Sequence, residues 1–398
     1  MTLNNRWVLP EGIEEVLPAQ AMQLEKLRRD LIDMFNTWGY DLVMPPLVEY
    51  LESLLSGTGH DLDLQTFKIT DQLTGRMMGI RADMTPQVAR IEAHHLKQNT
   101  PTRLCYLGTV LHTRPEGFSA SRSPLQIGAE LYGHKASESD VEILTLLVET
   151  LKLTGVKAFY IDLGHAGIFR NLVKQAKLSV EQENILFDVL QRKAKPELAE
   201  LVNEWVIDNT VANMLLSLPD LNGGEEIFER AYDIFSAADS SVIDAIRNLQ
   251  DIAEKFKSQI PEINLHYDLS ELRGYNYHTG VIFAAYSPGQ GEAIAQGGRY
   301  DDIGKDFGLA RPATGFSADL KSLVSLSGLN SHTIQGIFAP VSNEPGLLEP
   351  SGQEFIASLR QQGERVVLEL PEQNGDARAM QCNRVIVKTA SDWAVKEI

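Results

Sequence analysis

Between Ala166 and Gln259 the chain offers almost nothing but helix, and on both sides of that block it offers mostly strand. The block holds five runs with apolar residues at helical spacing: FRNLVKQAKL, EQENILFDVLQRK, ELAELVNEWV, EEIFERAYDIF and SSVIDAIRNLQDIAEKF. Helices of that kind must bury one face against something. A helical block set inside strand-rich sequence therefore reads as an insertion between two parts of one sheet, in an α+β chain.

The flanks support this. Ala19 to Trp38 carries Met22, Leu24, Leu27, Leu31, Met34 and Phe35, a core-packing amphipathic helix ended by Gly39. YDLVMPPLVEYLESLL reads as a strand, a Pro45-Pro46 break and a short helix, at a sheet margin or a subunit contact. Phe67 to Ile80 predicts a hairpin that delivers Arg81, Asp83 and Thr85 to a strand end, with Pro86 starting a helix. An Asp or Thr in such a place is first of all an N-cap. Leu104 to Leu111 predicts a buried strand. In PLQIGAELYG, alternation puts Gln126, Gly128 and Glu130 on one face and Leu125, Ile127, Ala129 and Leu131 on the core face. The polar face with its glycine is either a floor left open for a polar ligand or a solvent-facing sheet surface. Ser137 to Leu153 is predicted helical, Ala158 to Leu163 and Ile263 to Tyr267 as strands, and Ala310 to Leu326 as strand, turn and helix. Gly328 to Gln335 is polar and reads as a linker before a small α/β unit of strand, helix and strands. The expected organisation is a domain over 1–330, with the insertion at about 166–260, and a second over 331–398.

Two short stretches depart from ordinary globular sequence. ELRGYNYHTG (271–280) and QGGRYDD (296–302) each join one arginine, Arg273 or Arg299, to tyrosines and glycines. Val281 to Phe283 follow the first, which predicts Arg273 at a strand start with its guanidinium over a sheet. A guanidinium grips a carboxylate or phosphate through paired hydrogen bonds, tyrosines shape a slot beside it, and glycines admit close backbone approach. The plainer alternative is a tight turn at Gly297 and Gly298, half-buried Tyr275, Tyr277 and Tyr300, and solvated arginines.

The apolar fraction of 43% in 398 residues suits a globular protein with a sizeable core. A formal charge of −18 argues against broad attraction to nucleic acid. Cys105 and Cys382 are the only cysteines and fall in no metal-ligand pattern, so free thiols and no structural metal are expected. No apolar run is long enough to cross a bilayer, and the N-terminus lacks a signal pattern, so the expected location is cytoplasmic.

In this order the segments resemble the class II aminoacyl-tRNA synthetases, most closely histidyl-tRNA synthetase, over about Leu9 to Leu326. GYDLVMPPLVEY looks like the first class motif, YLGTVLHTRPEG through QIGAELYG like the second, and ATGFSADLKSL like the third; ELRGYNYHTG and GGRYDD look like the two histidyl signatures. The resemblance implies an antiparallel sheet flanked by helices, with self-dimerisation through the first motif. It also implies a histidine-binding set. Asp83 and Thr85 match the family's residues for the α-ammonium, Gln126 its glutamine, Glu130 the acid for the imidazole, Arg273 the arginine near the carboxylate, and Tyr277 and Tyr300 its pocket tyrosines. His278 stands where the family has a second tyrosine, Arg122 matches a loop arginine, and Arg299 belongs to the second signature; these three are possible pocket residues.

The ATP set departs from the family. His112 stands where the second motif carries its α-phosphate arginine, Lys321-Ser322 replace the Glu-Arg of the third, and Asp319 replaces a glycine. An adenylation site stabilises phosphate charge through such arginines and Mg²⁺. With a C-terminal unit shorter than an anticodon-binding domain, the chain resembles the regulatory subunits of short-form ATP phosphoribosyltransferase, which act in the first step of histidine biosynthesis. That implies no catalysis, no cofactor and no tRNA, a short-form ATP phosphoribosyltransferase catalytic subunit as partner, and L-histidine as allosteric inhibitor. The alternatives are a divergent histidyl-tRNA synthetase in which Arg114 substitutes for the missing arginine, and a ligase for another small acid.

Overall fold

In the computed structural model, residues 7–56, 60–115, 121–275, 277–305, 307–308, 310–327, 336–373, 375–390 and 392–398 are described. They fall into two compact units, Met1–Glu15 with Lys26–Leu329, and Val16–Glu25 with Asn330–Ile398. The segment expected to be a linker, 328–335, lies outside the described residues.

Helix α1 (Pro18–Thr37) buries Leu24, Leu27, Leu31 and Phe35 and ends at Gly39, whose φ of +82° favours a residue without Cβ. Strand β1 (Asp41–Leu42) and a ribbon of β2 (Val48–Tyr50), β3 (Phe67–Thr70) and β4 (Met77–Ile80) follow, with α2 (Leu51–Leu54) and α3 (His60–Gln65) between β2 and β3. Helix α4 (Thr85–Ile91) runs into a π-turn at Glu92–Leu96, a feature its sequence does not signal. Then come β5 (Thr102–Thr109), β6 (Leu125–Tyr132), α5 (Ser137–Leu153) and β7 (Tyr160–His165).

The insertion comprises α6 (Ala166–Gln175), α7 (Val180–Gln191), α8 (Lys195–Trp205), α9 (Asn209–Ser217), the two-residue β8 (Asn222–Gly223), α10 (Ile227–Ile234) and α11 (Ser240–Gln259). Its helix starts are readable chemistry. Ser179 and Gln182 exchange side-chain-to-backbone bonds of 3.3 and 2.9 Å in a capping box, Asp208 caps α9, and His165 Nδ1 accepts the Gly167 N–H at 3.0 Å to cap α6. Burial lowers the His165 pKa to about 4, which keeps the ring neutral and able to accept. Helix α11 buries Val242, Ile246, Leu249, Ile252 and Phe256 on one stripe. Each such side chain contributes about 1.5–3 kcal/mol by leaving water.

After the insertion come β9 (Leu265–Asp268), β10 (Val281–Tyr286), β11 (Ala295–Arg299), β12 (Ala313–Asp319) and α12 (Leu320–Leu326). One nine-stranded sheet runs β1-β5-β6-β12-β11-β10-β7-β9-β8, antiparallel except for the pairs β1/β5 and β7/β9. The insertion thus hangs between β7 and β9, which pair with each other, and it returns β8 to the sheet edge. The antiparallel sheet flanked by helices that the resemblance implied is present, with two parallel pairs in it. Strand β7 extends to His165 because it pairs with β10 as far as Val281.

The C-terminal unit has its own sheet, β14-β13-β15-β16, from β13 (Ile337–Ala339), β14 (Val366–Leu368), β15 (Arg384–Lys388) and β16 (Trp393–Glu397). Helix α13 (Pro350–Gln361) joins the parallel pair β13/β14, and Ile337, Leu347, Ile356, Ile386 and Trp393 form the core. Cys105 and Cys382 are unpaired and buried. No helix among the described residues is long and apolar enough to cross a membrane.

Candidate functional site

The polar face of β6 is the centre of the site, and around Gly128 it is filled by the protein itself. A Cβ at Gly128 would fall 2.4 Å from the Tyr106 hydroxyl, so the space that glycine vacates is filled by a phenol from β5. A Cβ at Gly315 on β12, directly opposite Glu130, would fall 1.6 Å from Glu130 Oε2. The two glycines make room for a tyrosine and a carboxyl of the protein itself, so this face is filled at Gly128 and Glu130 and opens to a cleft only at Gln126. The same holds for Gly297 and Gly298, whose Cβ positions are taken by Phe283 and the Gly315 carbonyl, and by the Val281 carbonyl and His278.

Glu130 is 1% exposed and bound on both oxygens. Tyr106 donates to Oε1 at 2.9 Å, and Tyr300 donates to Oε2. The Tyr106 hydroxyl also meets Thr85 Oγ1 at 3.0 Å, and Tyr300 meets Tyr132 at 3.3 Å. Tyr277 stacks on Tyr300 with centroids 4.8 Å apart, and its own hydroxyl is buried without a partner among the described residues. Burial pushes the Glu130 pKa up to about 8, against the lowering effect of the Tyr300 and Tyr106 hydrogen bonds; nearby Asp83 raises it further. Near neutral pH, Glu130 is largely a neutral acid.

Asp83 and Gln126 stand beside this cluster and open to a cleft of about 660 Å³. Gln126 Nε2 donates to Asp83 Oδ1 at 2.7 Å and its Oε1 accepts the Met84 N–H at 2.9 Å, so both amide ends are fixed. Asp83 Oδ1 also accepts the Thr85 N–H at 3.0 Å, the cap-like bond that the sequence suggested, although Met84 occupies the N-cap position. Arg273 lines the same cleft. It lies in a turn, well ahead of β10, and not at a strand start as expected. Its N–H is held by Glu271 at 2.8 Å, and its guanidinium, 46% exposed, donates to the Tyr286 hydroxyl and lies 5.2 Å over that ring. Tyr286 in turn stacks on Tyr160.

The same cleft is lined by His112, Asp319 and Ser322, with Asp319 directly opposite Gln126 in the β12/β6 register. His112 Nε2 meets the Ala82 carbonyl at 2.9 Å. Asp319 Oδ1 accepts the N–H groups of Leu125 and Lys321 at 2.9 and 3.1 Å, and Oδ2 accepts the Ser322 hydroxyl at 2.6 Å. Lys321 turns its ammonium to the Ser123 carbonyl at 2.6 Å. Among the described lining residues the ionic side chains are Asp83, Glu292, Asp319 and Arg273. Three carboxylates and one guanidinium make poor surroundings for a triphosphate.

Seven of the ten sequence candidates are not among the residues that line the cleft: Thr85, Glu130, Tyr277 and Tyr300 form the buried cluster beside it, and Arg299, Arg122 and His278 lie elsewhere. Arg299 is buried and bonds Asp140 Oδ2 at 3.1 and 2.9 Å, Ser139 Oγ at 2.8 Å and the His134 carbonyl at 3.2 Å, an internal brace from β11 to α5. Arg122 donates to the carbonyls of His112 and Glu11 at 3.0 and 2.9 Å and lies over Phe67. His278 is wedged against Gly274 and Gly298, its pKa lowered to about 4 by burial, and its ring meets Tyr277 edge-on. Arg114 is exposed and is not among the lining residues. Conversely, sequence reasoning missed Tyr106, Tyr132 and Tyr286. The alternation that placed Glu130 could have flagged Tyr106, since β5 pairs with β6 and Tyr106 faces Gly128 in the register.

Known proteins resemble this chain along its whole length. A family model described as histidyl-tRNA synthetase matches residues 12–323, and one described as the ATP phosphoribosyltransferase subunit HisZ C-terminal domain matches residues 334–396. The chain is 54% identical to an ATP phosphoribosyltransferase regulatory subunit from Thioalkalivibrio sulfidiphilus, with all of both chains covered. It is 52% identical to one from Nitrosococcus oceani, covering 100% of this chain and 98% of that one. Among solved structures, an ATP phosphoribosyltransferase regulatory subunit/histidyl-tRNA synthetase from Bacillus halodurans superposes with a TM-score of 0.82 at 27% identity, covering 96% and 97% of the two chains. Histidyl-tRNA synthetase from Nostoc, at 18% identity, 98% and 94% coverage and a TM-score of 0.77, shares the fold.

Proposed function

The chain belongs to the family of ATP phosphoribosyltransferase regulatory subunits, and from that premise we propose that it binds histidine in the Asp83–Gln126–Arg273 cleft and carries feedback inhibition to a short catalytic partner. It activates that partner and forms no adenylate itself. The observation that carries this is the make-up of the cleft lining. It keeps an acid, an amide and a guanidinium, while beside them Asp319 and Ser322 are tied into hydrogen bonds where a synthetase needs a free cation.

A zwitterionic amino acid asks for an acceptor near its ammonium and a guanidinium near its carboxylate. Asp83, Thr85 and Gln126 supply the first, and Arg273 the second. Its imidazole N–H reaches Glu130 by replacing one tyrosine hydroxyl as the donor, with Tyr277 and Tyr300 forming the aromatic walls. The chain works in the cytoplasm as a self-dimer through the β1 and Pro45-Pro46 region, with its domain boundary near residue 330.

The test is turnover of a short-form ATP phosphoribosyltransferase catalytic subunit with and without this chain while histidine is titrated. Activation that histidine then reverses is expected, with reversal lost in Glu130→Ala and Arg273→Ala. Normal inhibition in both variants overturns the site. Histidine-dependent exchange of pyrophosphate into ATP by the chain alone overturns the absence of catalysis.

A further inference from the structure

The loop from Glu271 to Gly280 faces three ways at once. Arg273 lines the cleft, and Tyr277 stacks on Tyr300 above Glu130. Tyr275, between them, points into the helical insertion and is 3% exposed. Its ring stacks on Phe187 of α7 at 5.4 Å and meets Phe169 of α6 edge-on at 5.3 Å. Its hydroxyl donates to Glu183 of α7. Arg170 of α6 lies 4.7 Å over the same ring and donates to the carbonyls of Tyr275 and His278 at 2.9 and 3.1 Å. Gly274, at φ +61°, turns the chain so that these neighbouring side chains part company.

We propose that Tyr275, clamped by Arg170, Glu183 and Phe187, is the positioning residue that couples the histidine cleft to the insertion, so that a ligand engaging Arg273 and Tyr277 shifts α6 and α7. The inference rests on the histidine site proposed above. The physical reason is economy of freedom. Three anchors lie within five residues, so Arg273 cannot leave Tyr286 for a ligand carboxylate, nor Tyr277 re-stack on an imidazole, without pulling on the ring between them. Packed cores switch between discrete arrangements instead of yielding smoothly, which carries such a pull into the helices. Linkage makes the effect reciprocal: a partner that favours one placement of α6 and α7 changes histidine affinity by the same factor.

The experiment uses the full chain, alone and in complex with the catalytic subunit. Hydrogen–deuterium exchange across residues 166–191 is measured with and without histidine, histidine affinity is measured by calorimetry, and inhibition is measured in the complex. For the wild type, histidine is expected to change exchange in that segment. Tyr275→Phe keeps the ring and loses the Glu183 bond; Glu183→Leu removes the acceptor of that bond from the helix side. As free chains both are expected to bind histidine within about threefold of wild type, while in the complex they lose most of the inhibition, which is a split between binding and response that general destabilisation does not produce; allosteric couplings of this kind amount to roughly 5–150-fold. If the wild type binds no histidine, the site proposal and this one fall together. Binding with unchanged exchange in 166–191, or full inhibition in both variants, overturns the coupling and leaves the site standing.

Discussion

Replacing Glu130 by glutamine should change how stability depends on pH, by an amount the structure allows to be worked out. In the fold the carboxyl holds its proton to about pH 8, against an ordinary value of 4.5, chiefly because of burial. A group whose pKa is raised by folding contributes stability that is complete below the unfolded value and is lost as pH rises through the folded one. Between pH 6.5 and 8 the unfolded chain has given up this proton and the folded chain has kept it, so each pH unit costs about 1.4 kcal/mol. Over that window the loss is about 2 kcal/mol. The acid side is less clean, because His165 and His278, both lowered to about 4, act oppositely there and withdraw stability as pH falls below 6.5. Glutamine offers one tyrosine hydroxyl an acceptor and the other a donor, as the neutral acid does, and Thr85 and Tyr132 remain as further partners. Urea unfolding of both proteins at pH 6.5 and 8 gives the comparison, since every other group is common to the two. The wild type should lose about 2 kcal/mol more than Glu130→Gln across the window. Parallel pH dependence in the two proteins would refute a neutral, buried Glu130.

Three further outcomes follow from the packing. Leu249→Ala, at a wholly buried position on α11, should cost about 2–5 kcal/mol in urea unfolding while α11 still forms. His165→Asn should keep a side-chain acceptor for the Gly167 N–H, whereas His165→Leu loses it, so the leucine variant should be less stable by about 1 kcal/mol in thermal unfolding. Asp319→Ala removes the cap of α12 and leaves the Leu125 N–H without its acceptor, a loss of about 1–3 kcal/mol by denaturant titration.

Legibility in the sequence followed the length and regularity of each signal. Helices α5 and α11 were readable because their apolar stripes run for several turns. Strand β16 was not, since five residues at the chain end carry little pattern, and its Trp393 faces a core that only the fold assembles. The members of the candidate site were legible mainly through family resemblance. Alternation put Gln126 and Glu130 on one face but could not say that Tyr106, from the neighbouring strand, fills the space between them. Arg299 shows the limit from the other side. An arginine among tyrosines and glycines reads as ligand-seeking, and only the tertiary structure brings Asp140 and Ser139 within its reach.

Asp319 also bears on the direction in which such a chain can evolve. Its two oxygens stitch the start of β6 to the start of α12, at a position where the sequence resemblance implies a glycine in the synthetases. Restoring that glycine by itself would leave the Leu125 N–H unpaired, and it would bring back no phosphate-binding arginine. Restoring an arginine at Ser322 alone would set a guanidinium beside a carboxylate already committed to the helix cap. Neither single step restores a phosphate-binding set, and the first gives up the hydrogen bonds that Asp319 now makes, so the substitution works as a ratchet against simple reversal.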